Sequence, residues 1–593
     1  MIELQPEWQE EVHADKIDLG LWRQILRLAR PYRRYIGLSI VSTVALAAGD
    51  AAFPYMTKIA LDRFVIPQTT EGLAWFAAAF AGLVVFQSLN LYLFIAMAGK
   101  VESGLTYTIR NEGFIHLQRL SFSFFDKRAS GWLLARLTSD ASRLGEIVSW
   151  SLIDLLWGAA AMLLYSAVML ALNWRLALLT MVVIPPLAVA SLYFQGQILR
   201  AYREVRRLNS RITGAFSEGI QGATTTKILS REEKNLEEFQ ELTTSHRAMS
   251  IRAATFSALF MPIVLVLSSV GTALTLWRGG TGVALGTISY GVLAAFISYA
   301  GQFFEPVREI ARIFAELQMA HAAAERVMGL LNTVPEIQDR PGLKNDWPKL
   351  RGAIRFEHVS FAYNPQEPVL ENFNLEVQPG QVVALVGETG SGKSTIVNLV
   401  CRFYEPTAGR ILIDGVDYRE RPLAWLQSSL GCVLQNPHLF SGTIRENIRY
   451  GRLTATDEEV ERAAKLVNAH EFIMRLPKGY DTEVGEGGGL LSTGQKQLIS
   501  FARAILADPA IFILDEATSS IDTETERLIQ QAMETVLKGR TSFIIAHRLS
   551  TVRFADMILV IRDGRVLEQG THGELLKKRG YYYRLYTNQF QET

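Results

Sequence analysis

Only two of the 593 residues are cysteine, Cys401 and Cys432, and both lie in the second half of the chain. A disulfide framework and a cysteine zinc cluster are therefore not expected, and a reducing compartment fits. Charge of either sign is in balance, with 60 Lys+Arg against 59 Asp+Glu and a formal net charge of +1. With no basic low-complexity arm either, nothing points to nucleic acid. A cleavable leader is not expected, because the first residues offer Glu3, Glu7, Glu10, Glu11 and Asp15 in place of a basic start and an apolar core. What the chain has in abundance is apolar sequence: 49% of residues are hydrophobic, mean hydropathy is +0.14, and the apolar residues crowd into the first half. The length exceeds one core and implies several units.

From Leu19 the pattern is amphipathic, with Trp22, Ile25, Leu26 and Ala29 on one helical face and Arg23, Arg27, Arg30 and Arg34 on another. This reads as a helix in a membrane interface. Six stretches follow that approach or exceed the roughly 20 apolar residues a bilayer crossing needs. They run about Tyr35 to Ile59, Leu73 to Ala98, Ile147 to Leu172, Leu176 to Ile198, Thr255 to Trp277 and Ile288 to Phe304. The connectors at 100–146 and 198–253 hold seven and ten Lys+Arg, whereas the other three offer Arg63, Arg175 and Arg278. Positive-inside bias places the long connectors, the N-terminus and the C-terminal half in the cytoplasm, which makes the chain a multi-pass membrane protein, most simply of a bacterial cytoplasmic membrane.

The two long connectors read as cytosolic continuations of the membrane helices, with tips at Phe125 to Trp132 and Ser217 to Gly222 that could push on a neighbouring domain or serve as plain corners. Charge within the spans is sparse: Asp50, Lys58 and Asp154. Such residues face a cavity or a partner helix, so Asp50 and Asp154 either meet a cationic substrate or make a structural hydrogen bond. Gln87 and Asn90 pose the same choice. Pro335, Pro341 and Gly342 punctuate a linker. The expected division is 1–34, an N-terminal segment and interfacial helix; 35–331, the transmembrane domain; 332–353, the linker; and 354–593, a second domain opening on an alternating strand of Ile354, Phe356, Val359, Phe361 and Tyr363.

In that second domain Gly387-Glu388-Thr389-Gly390-Ser391-Gly392-Lys393-Ser394 fits G-x-x-x-x-G-K-[ST]. Backbone N–H groups of such a loop wrap phosphates, the lysine reaches the terminal ones and the serine ligates magnesium. Eight-residue matches of this kind arise by chance in about one chain in fifty of this length. Context decides: Gln381 to Val386 reads as a buried strand and Thr395 to Phe403 as a helix, which sets the phosphates at a helix N-terminus. Further on, Ile511 to Leu514 is an apolar strand ending in two acids. Asp515 is placed to hold magnesium through water and Glu516 to polarise an attacking water, although a helix N-cap with a first-turn acid reads the same in isolation. Tyr363 could stack on an adenine ring.

Tyr363, GETGSGKS, Gln435 within Val433 to Pro437, Leu491-Ser492-Thr493-Gly494-Gln495, the run Ile513 to Asp522 and His547 within Ile545 to Ser550 stand in the order and spacing of ATP-binding cassette proteins. With six spans in front, the chain resembles an exporter half-transporter from about residue 19 to 585. The fold this implies is an all-α polytopic membrane domain of six helices with long cytoplasmic extensions, followed by an α/β P-loop ATPase domain with an antiparallel β subdomain and a helical subdomain. The function it implies is ATP-driven export of an amphipathic or hydrophobic substrate, drug-like or lipid; a peptide or metabolite cargo, or an ATP-gated channel or regulator on the same scaffold, is the alternative.

The resemblance also implies a dimer in which ATP lies between the phosphate loop of one subunit and Ser492, Gly494 and Gln495 of the other. By the same resemblance Gln435 contacts magnesium and the attacking water, His547 holds the γ-phosphate, and Ser519 to Asp522 cross the interface. One departure is Thr493, where the family pattern has glycine, expected to set a β-branched side chain in a tight turn. Together with Glu516 and His547 it slightly favours a heterodimer, with this chain as the active half, over a homodimer.

Overall fold

The computed structural model describes residues 18–343, 347–435, 437–515, 523–546 and 552–591. They fall into two units, one helical and one mostly from the C-terminal half.

The helical unit begins with α1 (Leu19–Leu28), capped by the Asp18 carboxylate, which accepts from Gly20 N at 2.7 Å. Its inward face is Leu21 and Ile25, packed on Val101, Leu105 and Ile109 and on Ala320, Ala323 and Val327. Leu26, expected on the apolar face, is instead 51% exposed. Next come α2 (Arg33–Ala60), α3 (Leu73–Leu117), α4 (Leu152–Met181), α5 (Ile184–Gln221), α6 (Glu232–Ala284), α7 (Tyr290–Gln302) and α8 (Phe304–Asn332). Four stretches, Arg30–Val65, Leu73–Leu117, Ser130–Met181 and Glu232–Ala284, are each long and apolar enough to cross a membrane.

The expected fourth and sixth spans are built differently. Asn173 leaves helical geometry (φ −160°, ψ 102°) and its side chain accepts from Leu176 N at 3.1 Å, so it caps a new helical stretch inside α4. That stretch ends at Met181, and Pro185 and Pro186 open α5, where a missing N–H costs nothing. The sixth stretch is α7, capped by Ser289, running into α8.

The polar residues of the spans are tied to one another. Asp50 accepts from Gln87 Nε2 at 2.9 Å and Trp157 Nε1 at 3.2 Å, joining α2, α3 and α4. Asn90 Nδ2 donates to Ser42 O at 2.9 Å. Asp154 faces Arg312 at 3.6 Å, and Arg312 also pairs with Glu309 and Glu316. Each acid therefore has a partner in the bundle, the structural of the two readings.

The second unit holds a four-stranded antiparallel sheet, order β2-β1-β4-β5, and a six-stranded sheet, order β10-β9-β3-β8-β7-β6. The strands are β1 (Ile354–Asn364), β2 (Glu367–Val377), β3 (Val382–Val386), β4 (Ala408–Ile413), β5 (Val416–Asp417), β6 (Leu430–Val433), β7 (Ile511–Asp515), β8 (Thr541–Ile545), β9 (Met557–Arg562) and β10 (Arg565–Gly570). β1 alternates as expected, with a bulge between Phe356 and Val359 that keeps both side chains inward despite their odd spacing. In the larger sheet β6, β7, β8, β3 and β9 run parallel. Val382, Ala384 and Val386 face one core and Val383 and Leu385 the other, so both faces are covered, as a parallel sheet requires. Two short helices, Ile444–Arg449 and Asp457–Leu466, pack with α10 (Thr493–Leu506), and a third, His470–Arg475, packs on Asp457–Leu466; α9 (Lys393–Val400) precedes them in the chain, and α11 (Thr523–Leu537) and α12 (Tyr581–Gln591) follow.

Residues Leu120–Arg128 belong to this second unit although they lie between α3 and α4 in sequence. Their short helix Phe122–Asp126 stacks Phe122 on Phe403 at 4.3 Å. Ser123 Oγ donates to Glu336 at 2.6 Å, and the Tyr404 hydroxyl donates to Asp126.

A candidate nucleotide site

β3 is buried along its whole length, and the loop after it must turn sharply into α9. Two glycines make that possible. Gly392 sits at φ +104°, a conformation L side chains rarely adopt, and a Cβ on Gly387 would come within 2.2 Å of Ile561 O. The result is a loop whose N–H groups lead into the first turn of α9, where anions are favoured. Glu388, Thr389 and Gly390 are exposed on its outer side and Ser391 is buried.

Lys393 bends back over this loop, donating from Nζ to Gly387 O at 2.8 Å and Glu388 O at 2.7 Å. Burial pulls its ammonium below the ordinary lysine value, and the Asp515 carboxylate opposes that pull. Among the described residues the buried Ser391 Oγ has no hydrogen-bond partner, a group that a phosphate oxygen fits. Ser394 is exposed on the first turn, and Thr395 Oγ1 lies 3.3 Å from the Tyr363 hydroxyl. Tyr363 itself is 42% exposed and meets Tyr404 edge-on at 5.0 Å, which leaves part of its ring free to meet a base. Glu388 also accepts from the Tyr581 hydroxyl at 2.5 Å, a contact the motif alone does not foretell.

Strand order brings the remaining groups to one edge. β8 lies between β3 and β7, and β6 lies beyond β7, all parallel, so the phosphate loop, Asp515 and Gln435 all follow the carboxyl ends of neighbouring strands. That is where ligands of open α/β sheets bind. Gln435 is exposed there. Glu516, Ser519 to Asp522 and His547 lie outside the described residues.

Ser492, Gly494 and Gln495 form a separate anion-receptive end. Ser492 caps α10 by a reciprocal box, accepting from Gln495 N at 3.3 Å while Gln495 Oε1 accepts from Ser492 N at 3.0 Å. Among the described residues no hydrogen bond or ion pair joins these three to the phosphate loop. Thr493 corrects the tight-turn expectation: it is the first residue of α10, exposed and free of positive φ, so a β-branched side chain costs the backbone little there.

Residues 36–307 match the family model described as ABC transporter transmembrane region, and residues 370–519 match the one described as ABC transporter. An uncharacterized ABC transporter ATP-binding protein of Bacillus subtilis (strain 168), YknV, is 39% identical over 573 residues, covering 96% of this chain and 94% of the relative. An ATP-dependent lipid A-core flippase of Syntrophus aciditrophicus (strain SB) is 34% identical over 575 residues, covering 97% and 95%. The chain belongs to the ABC transporters.

A solved bacterial Atm1-family ABC exporter with ATP bound superposes on the transporter with a TM-score of 0.76 at 28% identity, covering 94% of this chain and 98% of that one. The fused order of membrane and nucleotide domains makes it a half-transporter, a scaffold that implies dimerisation. The transporter binds ATP, and its hydrolysis is coupled to transport by a multi-pass membrane protein. The looped backbone, Lys393 and the unpartnered Ser391 hydroxyl fit the triphosphate. Ser394 and Asp515, a hydroxyl and a carboxylate, fit a hard cation.

Proposed function

We propose that the transporter exports an amphipathic or hydrophobic substrate, drug-like or lipid, across a bacterial cytoplasmic membrane by alternating access. The observation that carries this reading is one chain holding both a phosphate-receptive loop and a long apolar bundle whose acids Asp50 and Asp154 are tied by hydrogen bonds or an ion pair to neighbouring helices. Relatives named a lipid A-core flippase and a putative multidrug export protein support the cargo class.

Two ATP molecules are held between subunits, each by Lys393 and the loop 387–395 of one chain, with Tyr363 on the base, and by Ser492, Gly494 and Gln495 of the other. Ser492 Oγ accepts from Gln495 N, which leaves its hydroxyl proton for a phosphate. Ser394, Gln435 and Asp515 would hold magnesium, which would supply charge neutralisation at the phosphates. Glu516 orients and polarises the attacking water and His547 holds the γ-phosphate. Closure needs a ligand that favours the closed state, which the γ-phosphate provides. The N-terminus and nucleotide domain face the cytoplasm, and the functional division stays 1–34, 35–331, 332–353 and 354–593.

Glu516→Gln is expected to leave ATP binding intact while turnover stalls with the dimer closed. Retention of ATPase activity within about twofold of the parent overturns the base assignment. Accumulation of substrate against its gradient in proteoliposomes identifies a pump, whereas dissipation alone identifies an ATP-gated pore.

A further inference from the structure

From Leu19 through Gly49 the chain has five arginines and no acidic residue. Arg23 and Arg27 lie on α1, Arg30 in the single 3-10 turn after it, and Arg33 and Arg34 in the first turn of α2; all five are exposed. None has a hydrogen bond or ion pair among the described residues. This differs from other arginines of the same unit: Arg326 forks onto Asp140 at 2.7 and 2.9 Å, Arg110 donates to Leu137 O and Ser142, and Arg312 is ringed by acids. Among the described residues, three carboxylates of the neighbouring elements are already engaged. Asp18 caps α1, Glu102 accepts from Trp150 Nε1 at 2.8 Å, and Glu325 pairs with His321 at 3.4 Å.

The scaffold beneath these arginines is fixed. Leu21, Ile25 and Ala29 are buried, Pro31 sets the turn, and the Tyr32 hydroxyl lies 3.0 Å from Thr108 Oγ1. The Tyr32 ring lies so close to Gly104 that a Cβ there would come within 2.3 Å of it. Lys100 on α3 sits over the Tyr35 ring at 5.3 Å and adds a sixth cation. Directly beyond, Leu38, Ile40 and Val41 of α2 are exposed apolar surface at the start of a membrane span. Two cations in the first turn of α2 oppose that helix's own dipole, so local helix stability does not explain them. An external anion does.

We propose that this arginine surface binds the headgroups of anionic phospholipid in the cytoplasmic leaflet. The complementarity is specific in position: guanidinium groups with no partner among the described residues, set on a packed bend at the boundary where apolar surface begins, match a phosphodiester whose acyl chains lie along α2 and α3. Acyl chains keep the headgroup at this level, which free phosphate lacks.

Full-length protein titrated with phosphatidylglycerol or phosphatidylcholine and read by native mass spectrometry tests the assignment. The parent is expected to retain phosphatidylglycerol preferentially, and R23Q/R27Q/R33Q to lose that preference by about tenfold or more. Replacing the same three by lysine is expected to keep most of it, which separates charge from a folding defect. The control R206Q/R211Q/R231Q removes as many cations from the long arms and is expected to leave the preference intact. Equal loss in both glutamine triples, an unchanged preference in the first, or abolition of the preference by inorganic phosphate overturns the proposal.

Discussion

Lys393 is the residue at which electrostatics and function meet. Burial lowers its pKa below the ordinary lysine value, with Asp515 acting the other way. A triphosphate favours the ammonium form, so ATP binding above the depressed pKa must take up a proton. Affinity therefore falls as pH rises through that value, earlier than a lysine at its usual ~10.4 would dictate. Fluorescent-nucleotide titrations from neutral to alkaline pH are expected to show this early loss, and affinity that stays flat to the ordinary value refutes it. This residue was legible in the sequence because a phosphate loop has few chemical solutions. Thr493 was harder: its neighbours Ser492 and Gln495 suit either a tight turn or a capped helix start, and only the capping box settles which. Phe356 and Val359 break strict alternation for a similar reason, a bulge that no local signal announces.

Two elements earn their positions by more than packing. The start of α10 rests on the Ser492 cap, worth about 1 kcal/mol, and leaves the same hydroxyl exposed, where the proposed second anion site lies. The two roles separate by substitution. Ser492→Asp keeps a good cap yet places a negative charge at the anion site, so thermal stability is expected to hold while ATPase activity collapses. Ser492→Ala is expected to lower both. Phe122–Asp126 is the second element, joined to Phe403 and Tyr404, and Tyr404 meets the ring of Tyr363. This chain of contacts runs from the candidate base site to a segment that lies between membrane helices in sequence. Asp126→Ala with Phe122→Ala is expected to reduce substrate flux in proteoliposomes several-fold more than basal ATPase; equal reduction of both argues for simple destabilisation. The sequence offered the loop tip but not its seat, because Asp126 and Tyr404 are 278 residues apart and no local pattern encodes that pairing. The expected fourth span is interrupted for a local reason instead, since Pro185 and Pro186 restart the helix inside the apolar run.

For the whole molecule, the architecture was legible in six long apolar stretches and in the family resemblance that one ordered set of motifs carries. The composition of the assembly is a finer matter. With Glu516 present and Thr493 where the family pattern has glycine, we propose a heterodimer in which this chain supplies the active base. The chain purified alone is then expected to show low ATPase activity that rises with a companion half-transporter lacking the equivalent glutamate. Full activity of the isolated chain, with cooperative dependence on its own concentration, favours the homodimer.

The C-terminal unit is not one continuous piece of polypeptide. Leu120–Arg128 is synthesised more than two hundred residues before Val334, where the remainder of that unit begins. On the ribosome these nine residues emerge early and stand idle until Phe403 and Tyr404 have left the exit tunnel. Assembly of the two units is thus ordered in time, and a fragment begun at the linker lacks a part of its own fold.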